Sequence, residues 1–450
     1  MKKKVTQKTE LNDSFQKALD IMEHGTKNVF VTGRAGTGKS TLLDYFREHT
    51  KKKIVVLAPT GVAALNVKGQ TIHSFFKFRP GVTPSTVKRR SDSKEGKNIF
   101  KELHSIVIDE ISMVRADLLD CVDRALRLER GSKEPFGGVQ MIFIGDLFQL
   151  PPVVGEEEEE MFRDYYDSPY FFSAKSLEDS EFETVELEKV YRQKDPAFIR
   201  ILNSVRDNSA GEKELRELNS RHIPGYSHKV TGDKLSVYLA PTNWKVGAIN
   251  ETELKKLNGP EYTYKAKTDG DFDSGRFPTE EKLKLKIGAQ VMLLNNDLEK
   301  RWVNGSIGKL VSVTKDFNGD ILGVELESGE VVKVEPFAWQ MFQFYVNDSG
   351  QISPEPVGSF KQFPLKLAWA VTIHKSQGKT FERVVLDIDR GTFAHGQTYV
   401  ALSRCTTMEG LTLAQKIEKR HIIMDRRIVE FMNRGGMDVF RKNRLFDSED

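Results

Sequence analysis

The stretch Gly33-Arg34-Ala35-Gly36-Thr37-Gly38-Lys39-Ser40 fits the spacing G-x-x-x-x-G-K-[ST]. Glycines at those positions let backbone N–H groups wrap a polyanion, and a helix starting at the end of the loop adds its partial positive charge. Lys39 is placed to reach the β- and γ-phosphates of a nucleotide and Ser40 to ligate Mg2+, while Thr41, one residue inside the helix, helps hold the α-phosphate. Asp109-Glu110 supplies what such a loop lacks: Asp109 for the metal, and Glu110 to position and deprotonate the attacking water. Paired acids after a strand can do no more than cap a helix, and it is the company of the loop that turns the reading towards hydrolysis. Gln149, in Gly145-Asp146-Leu147-Phe148-Gln149-Leu150-Pro151-Pro152, is a candidate for sensing the γ-phosphate or holding that water, with a solvated loop side chain as the bland alternative. Phosphoryl transfer gains from a cation at the transition state, often an arginine from another domain, and the second half offers Arg192 and Arg404. If both reach the nucleotide, closing a cleft on it couples chemistry to domain movement.

These side chains need a frame, and the hydrophobic pattern describes one. Asn28-Val29-Phe30-Val31-Thr32 reads as a buried parallel strand stopping at Gly33, and Leu42, Leu43 and Phe46 then recur at helical spacing. Lys53 to Ala58, Ser105 to Ile108 and Val139 to Ile144 are three more such strands. Strands alternating with helices predict a parallel sheet wrapped by helices. A second α/β pattern follows, with Ser236-Val237-Tyr238-Leu239-Ala240-Pro241 repeating the strand and Ala-Pro-Thr turn of Leu57-Ala58-Pro59-Thr60, and with a late strand over Val384 to Ile388. Between them lie short β-type runs near residues 290–294, 309–313, 321–326 and 330–334, separated by turns such as Asn318-Gly319 and Ser328-Gly329. That texture predicts a small antiparallel barrel inserted in the second α/β domain.

The 450 residues exceed what one core normally organises, so two or more domains are expected. Hydrophobic residues at 38% and charged residues at 30% place the chain among globular proteins, and no apolar run approaches the roughly 18–20 residues of a membrane span. Met1-Lys2-Lys3-Lys4 lacks the apolar stretch of a secretory signal. Two cysteines, Cys121 and Cys405, without metal-ligand spacing argue for a reducing compartment and against structural zinc. A net charge of +3 implies no nucleic acid unless positive charge clusters on one face. The Pro, Gly, Ser and basic stretch from Lys77 to Lys101, carrying Lys88, Arg89, Arg90, Lys94 and Lys97, reads as a surface excursion or small subdomain, and the acidic run 156–160 as solvated loop.

With these residues in place the chain resembles superfamily 1 helicases and, within them, the Pif1 family. Phe15-Gln16-Lys17-Ala18-Leu19 looks like the adenine-contacting motif, with Gln16 as the contact; Gly33 to Ser40 is motif I, and Ala58 through Phe76 resembles motif Ia. Asp109 to Met113 is motif II, Gly145 to Pro152 motif III, Ala370 to Thr380 motif V and Tyr399 to Arg404 motif VI. The stretch from Glu186 to Arg206, with Val-Tyr-Arg-Gln and Ile-Leu-Asn-Ser-Val-Arg, is the most family-specific. The resemblance implies two RecA-like α/β domains, the first over 1–182 with a candidate wedge near 77–101 and the second over 183–260 and 364–434. It places an SH3-like barrel at 261–363 and a tail at 435–450.

It also implies ATP and Mg2+ as cofactors and 5′→3′ movement on single-stranded DNA with unwinding of tailed or forked duplexes. For some relatives this extends to G-quadruplexes and to RNA paired with DNA. Motif V brings Gly378 to the nucleotide and His374, Lys375 and Ser376 to the strand, and the paired turns bring Pro59, Thr60, Gly61, Thr242 and Asn243. His73, Phe75, Phe76, Trp244 and His374 are candidates to stack on or brace unpaired bases, with the core reading favoured for Phe75 and Phe76 by their apolar neighbours. The near-bare core predicts a bacterial or phage-like cytoplasmic enzyme, monomeric when free, with protein partners unspecified. A RecD-like or Dda-like helicase is the nearest alternative, and a nucleotide-switched binding module without tracking is the alternative from another class.

Overall fold

The computed structural model describes residues 12–436 except 90–97, 156–161, 163, 194, 227–234, 273–276, 318, 348–350 and 389–393. Met1 to Lys4, Arg90, Lys94, Lys97, the acidic run 156–160 and the tail 437–450 lie outside the described residues.

The apolar runs of the first half become β1 (Asn28–Gly33), β2 (Ile54–Ala58), β3 (Gln70–Thr71), β4 (Ser105–Ile108), β5 (Gln140–Gly145) and β6 (Phe182–Leu187). They form one sheet in the order β3-β2-β4-β5-β1-β6, parallel at every pairing. Strand alternation explains why the runs are continuously apolar. Phe30, Val55, Leu57, Ile106, Ile108 and Phe143 enter one core cluster, whereas Val29, Val31, Val56, Val107, Ile142 and Ile144 enter another on the opposite face. The helices α1 (Asp13–His24) and α2 (Lys39–His49) supply Phe15, Ala18, Leu19, Met22, Leu42, Leu43 and Phe46 to the second cluster. The short α3 (Gly61–Asn66) follows β2. The turns after β1, β2, β4 and β5, where ligands bind in open parallel sheets, carry Gly33 onwards, Pro59-Thr60, Asp109-Glu110 and Asp146.

A second parallel sheet begins with β7 (Val237–Ala240) and is interrupted by an antiparallel insertion. The insertion contains β8 (Tyr262–Lys265), β9 (Lys267–Gly270), β10 (Lys282–Leu285), β11 (Gln290–Leu293), β12 (Ile307–Asp316), β13 (Gly319–Leu326) and β14 (Val331–Val334). It continues through β15 (Phe337–Val346), β16 (Ile352–Gln362) and β17 (Leu365–Leu367). The five-stranded sheet β14-β13-β12-β11-β17 encloses its own core of Leu283, Val291, Leu293, Leu310, Val324 and Leu365 with Trp302 and Trp369. The second sheet then resumes with β18 (Ala370–Thr372), β19 (Val384–Leu386) and β20 (Leu411–Leu413), in the order β18-β7-β19-β20. Leu239, Val384 and Leu386 share a core cluster with the first unit, so the two units meet through packed apolar surface.

Three boundaries differ from the expectation. The resemblance places residues from 183 in the second domain, yet β6 pairs with β1 over Asn28↔Phe182 to Gly33↔Leu187 and is the edge strand of the first sheet. The barrel sheet runs on past 363, because Leu365 to Leu367 pairs with β11. The helix Arg426–Asn433, counted with the second unit, packs on the first: Phe431 stacks on Phe172 with ring centroids 4.3 Å apart, and Tyr170 donates to the Asp425 carboxylate at 3.1 Å. Within the 77–101 excursion the described residues hold a turn of 3-10 helix, Pro84–Thr86, and the short helix Ile99–Glu102, whose Phe100 is in the first unit's core.

Candidate active site

β1 delivers the chain into a loop whose Gly36 and Gly38 have φ of +83° and +92°, a region that strains any residue with a side chain. Gly36 is doubly constrained. A Cβ there would lie 2.4 Å from the Cβ of Arg192, because the segment around Tyr191 crosses the loop and its N–H donates to the Gly36 carbonyl at 2.8 Å. No side chain caps the first turn of α2, which leaves its amides to an incoming anion.

A cavity of about 590 Å3 opens over the loop, within the range of small-ligand sites. Ala35 through Thr41 form its floor, Phe15, Glu110 and Gln149 come from the first unit, and Tyr191, Arg192, Gly378, Thr380 and Arg404 close it from the second half. Gln16 is exposed on α1 and does not line it; Phe15, the neighbouring residue, does. Successive helix residues point about 100° apart, so of the two it is Phe15 that faces the loop.

The charges are arranged around Lys39. Its Nζ donates to the carbonyls of Gly33 (2.6 Å) and Arg34 (3.0 Å), and burial pulls its pKa below the usual lysine range against the pull of Asp146 and Glu110. Glu110 sits at φ +52°, and desolvation pushes its carboxyl up despite Lys39 and Arg404. Asp109 is pushed up to about 7, by desolvation first and by Glu110 second. Gln377 donates to Glu110 Oε2 at 3.1 Å and to Gln149 Oε1 at 3.3 Å, so one amide of the second unit ties together the candidate base and the candidate sensor. Arg404 is 1% exposed and brought down to about 9, by burial and then by Arg192.

The structure adds Tyr399, Asp146, Arg206 and His395 to the site; the first three stand within the motifs above, without a role assigned to their side chains. Ala35 N–H donates to the Tyr399 hydroxyl at 3.0 Å, so the second unit grips the phosphate loop directly. Asp146 pairs with Arg206 at 3.1 Å, and although burial alone would raise its carboxyl, Arg206 and Lys39 hold it below the usual range. The Arg206 guanidinium also covers the Phe148 ring at 4.0 Å, next to Gln149. His395 spans the units: its Nε2 lies 2.9 Å from the Leu147 carbonyl and its Nδ1 accepts from Asp425 N–H at 3.0 Å, a pair of bonds that fixes the Nε2–H tautomer. Nothing in a single sequence marks these pairings, whose hydrogen-bonded partners stand 30 to 364 positions apart.

The two Ala-Pro-Thr turns are built alike. Thr60 and Thr242 are exposed N-caps, accepting from Ala63 N–H (3.2 Å) and Lys245 N–H (3.4 Å), and each such cap stabilises its helix by about 0.5–2 kcal/mol. Gly61 and Pro59 are half-buried beside the first, and Asn243 is exposed beside the second. Lys375 is exposed, and His73 and His374 are half-buried. Two expected strand contacts turn inward. Phe75 is 5% exposed among Phe76, Phe100 and Phe344, so apolar burial claims its ring, and Ser376 is fully buried with its hydroxyl bonded to the Ile373 carbonyl at 2.6 Å.

A family model described as PIF1-like helicase matches residues 7–213. The ATP-dependent DNA helicase Pif1 of Bdellovibrio bacteriovorus is 34% identical over 430 residues, covering 94% of this chain and 91% of that protein. The chain belongs to the Pif1 helicase family. Among solved Pif1 structures, Bacteroides sp Pif1 in complex with ADP-AlF4 is 38% identical with a TM-score of 0.85, covering 94% of this chain and 96% of that one. Bacteroides Pif1 bound to ssDNA, also 38% identical with the same coverage, has a TM-score of 0.67. The human Pif1 helicase is 33% identical over 416 residues, and this chain covers 61% of its length.

Proposed function

We propose that the chain is an ATP-dependent DNA helicase whose two α/β units close on ATP and step 5′→3′ along single-stranded DNA. The observation that carries it is the shared cavity: Lys39 and Glu110 from the first unit face Arg192 and Arg404 from beyond it. Such a site is complete only when the units are together, so turnover and relative movement are one event. Glu110, its basicity raised by desolvation and its carboxylate held by Gln377, takes the proton of the attacking water. Gln149 positions that water, and Arg192 and Arg404 meet the charge that develops on the transferred group.

Ser40 and Asp109 fit a hard divalent cation, since a hydroxyl and a carboxylate both offer the oxygen ligands such a cation takes. Ser40 and Asp109 would hold Mg2+, which would supply positive charge to offset that of the phosphates. The exposed turns at Thr60 and Thr242, one on each unit, hold the strand's phosphates, and their relative displacement moves it. Tailed and forked duplexes are the substrates; direction, and extension to G-quadruplexes and RNA–DNA hybrids, rest on the family resemblance. No described helix is long and apolar enough to cross a membrane.

The test is ATPase rate with and without single-stranded DNA, followed by unwinding of 5′-tailed against 3′-tailed duplexes. Strong stimulation and unwinding from the 5′ tail alone are expected. Equal rates with and without DNA would favour the nucleotide-switched binding module instead.

Trp244 gives a local check on the strand path. It is 82% exposed beside Thr242 and Asn243, whereas Trp302, Trp339 and Trp369 are at most 7% exposed, so quenching by an added oligonucleotide reports on it. Its replacement by alanine is expected to weaken single-strand binding by about 1–3 kcal/mol, as loss of one stacked base does. Undisturbed emission on saturation with oligo-dT would place the strand elsewhere.

A further inference from the structure

Both candidate transition-state cations are held by one short loop. Arg404 donates to the carbonyls of Ser376 (3.3 Å) and Lys379 (3.1 Å), and Arg192 donates to that of Gly378 (3.4 Å). A phosphate entering the cavity competes with those carbonyls for the same N–H groups, so the loop 376–379 has two sets of partners to choose between.

The side chain of this loop's Lys379 does not line the cavity. Its Nζ donates to Asn304 Oδ1 at 2.6 Å, in the turn between β11 and β12 of the barrel. Its methylenes lie against Gly305, at φ +103°, where an added Cβ would meet them at 3.3 to 3.6 Å. Asn304 is itself fixed: its N–H donates to Asn296 Oδ1 at 2.8 Å, and its Nδ2 donates to Asn66 Oδ1 at 3.2 Å. Asn66 is the last residue of α3, the helix that opens at the Thr60 turn. One asparagine therefore joins the arginine-held loop, the barrel and the helix behind a strand-facing turn.

We propose that Lys379 and Asn304 form a coupling link that carries displacement of the 376–379 loop to the barrel and to α3, so that nucleotide occupancy sets the affinity of the strand path. This rests on reading the cavity as the ATP site. Lys379 and Asn304 are positioning residues, since neither touches the reacting phosphates. The link belongs to this chain's own residues: the loop needs a long cationic side chain facing the barrel, and the barrel turn needs an amide with a second hand for Asn66.

The test uses the full chain and the variants Asn304→Ala, Lys379→Met, the double variant and Lys379→Arg. Affinity for a labelled oligo-dT is measured by anisotropy with and without a non-hydrolysable ATP analogue, alongside analogue affinity and DNA-free ATPase. The ratio of the two DNA affinities is the coupling factor, and the wild type is expected to show one of about fivefold or more. Each single variant should bring the ratio close to one, the double variant should do no more than either, and Lys379→Arg should restore it. DNA-free ATPase and thermal midpoint of Asn304→Ala should stay at wild-type values. An unchanged ratio in Asn304→Ala, or additive losses in the double variant, overturns the link while leaving the cavity reading intact. A wild type that fails to bind the analogue overturns the cavity reading itself.

Discussion

Lys39→Ala is expected to lower ATP turnover by at least about 10²–10³-fold, the scale on which one preorganised charge acts on a developing phosphoryl charge. Its ammonium is the only lysine Nζ bonded to the loop's carbonyls among the described residues, and it sits between Asp146 and Glu110, whose charges favour its protonated form in an otherwise desolvating place. Alanine removes that charge and leaves Glu110 without its leading stabilising neighbour, so the Glu110 carboxyl rises further. The exposed turns at Thr60 and Thr242, proposed to hold the strand, lie on other loops, and DNA affinity should hold within a few-fold. Steady-state ATPase and oligonucleotide anisotropy on the same preparation measure both. Unwinding retained by Lys39→Ala would show that another group does this work.

Arg404→Lys is the second large effect, expected to reduce turnover by about 10³–10⁵-fold with little change in analogue binding. A lysine keeps a cation but not the planar fork. Arg404 uses that fork fully: Nε donates to Val400 O at 2.8 Å, one terminal nitrogen serves Ser376 and Lys379, and the other reaches Ser403 Oγ at 2.8 Å. An ammonium can satisfy fewer of these and sits shorter, so the charge no longer arrives in register with the transferring group. Comparing kcat with the dissociation constant of a non-hydrolysable analogue separates lost chemistry from lost binding. Near-normal kcat in Arg404→Lys, with collapse in Arg192→Lys, would transfer the role to Arg192.

The strands were legible because burial on both faces writes an uninterrupted apolar run, and β1, β2, β4, β5, β7 and β19 each lie where such a run stands. The loop from Gly33 to Ser40 and the acids after β4 were legible because their chemistry is local, confined to a few consecutive positions. What failed was ownership. β6 looks like any strand of the second unit until its register against β1 is seen, and register is a tertiary fact. Phe75 beside Phe76 leans towards core on its apolar neighbours while still counting as a stacking candidate, and the arrival of Phe100 and Phe344 decides it for the core. Gln377 lies in the run from Ala370 to Thr380, yet its amide's reach to Glu110 depends on two units meeting. The long hairpin of β15 and β16 has a local signal in the alternation through Trp339, Met341 and the aromatics after it. Its lean against the first unit, where Phe344 N–H meets Gln70 Oε1 at 3.4 Å, left none.

The helix Arg426–Asn433 gives the molecule a clasp. It is the last described helix of the chain after β20, yet Phe431 lies on Phe172 and Asp425 takes the Tyr170 hydroxyl, so the backbone crosses back and fastens to the unit it had left. Two bodies joined by a loose linker can drift apart along any axis. Here the packed apolar surface shared by the two units and the contacts of Phe431 and Asp425 are two separate attachments, and each must hold or give in any relative movement. The clasp also reaches towards the cavity: Asp425 N–H donates to His395, whose Nε2 lies against the Leu147 carbonyl two residues before Gln149, so the fastening and the site share one neighbourhood.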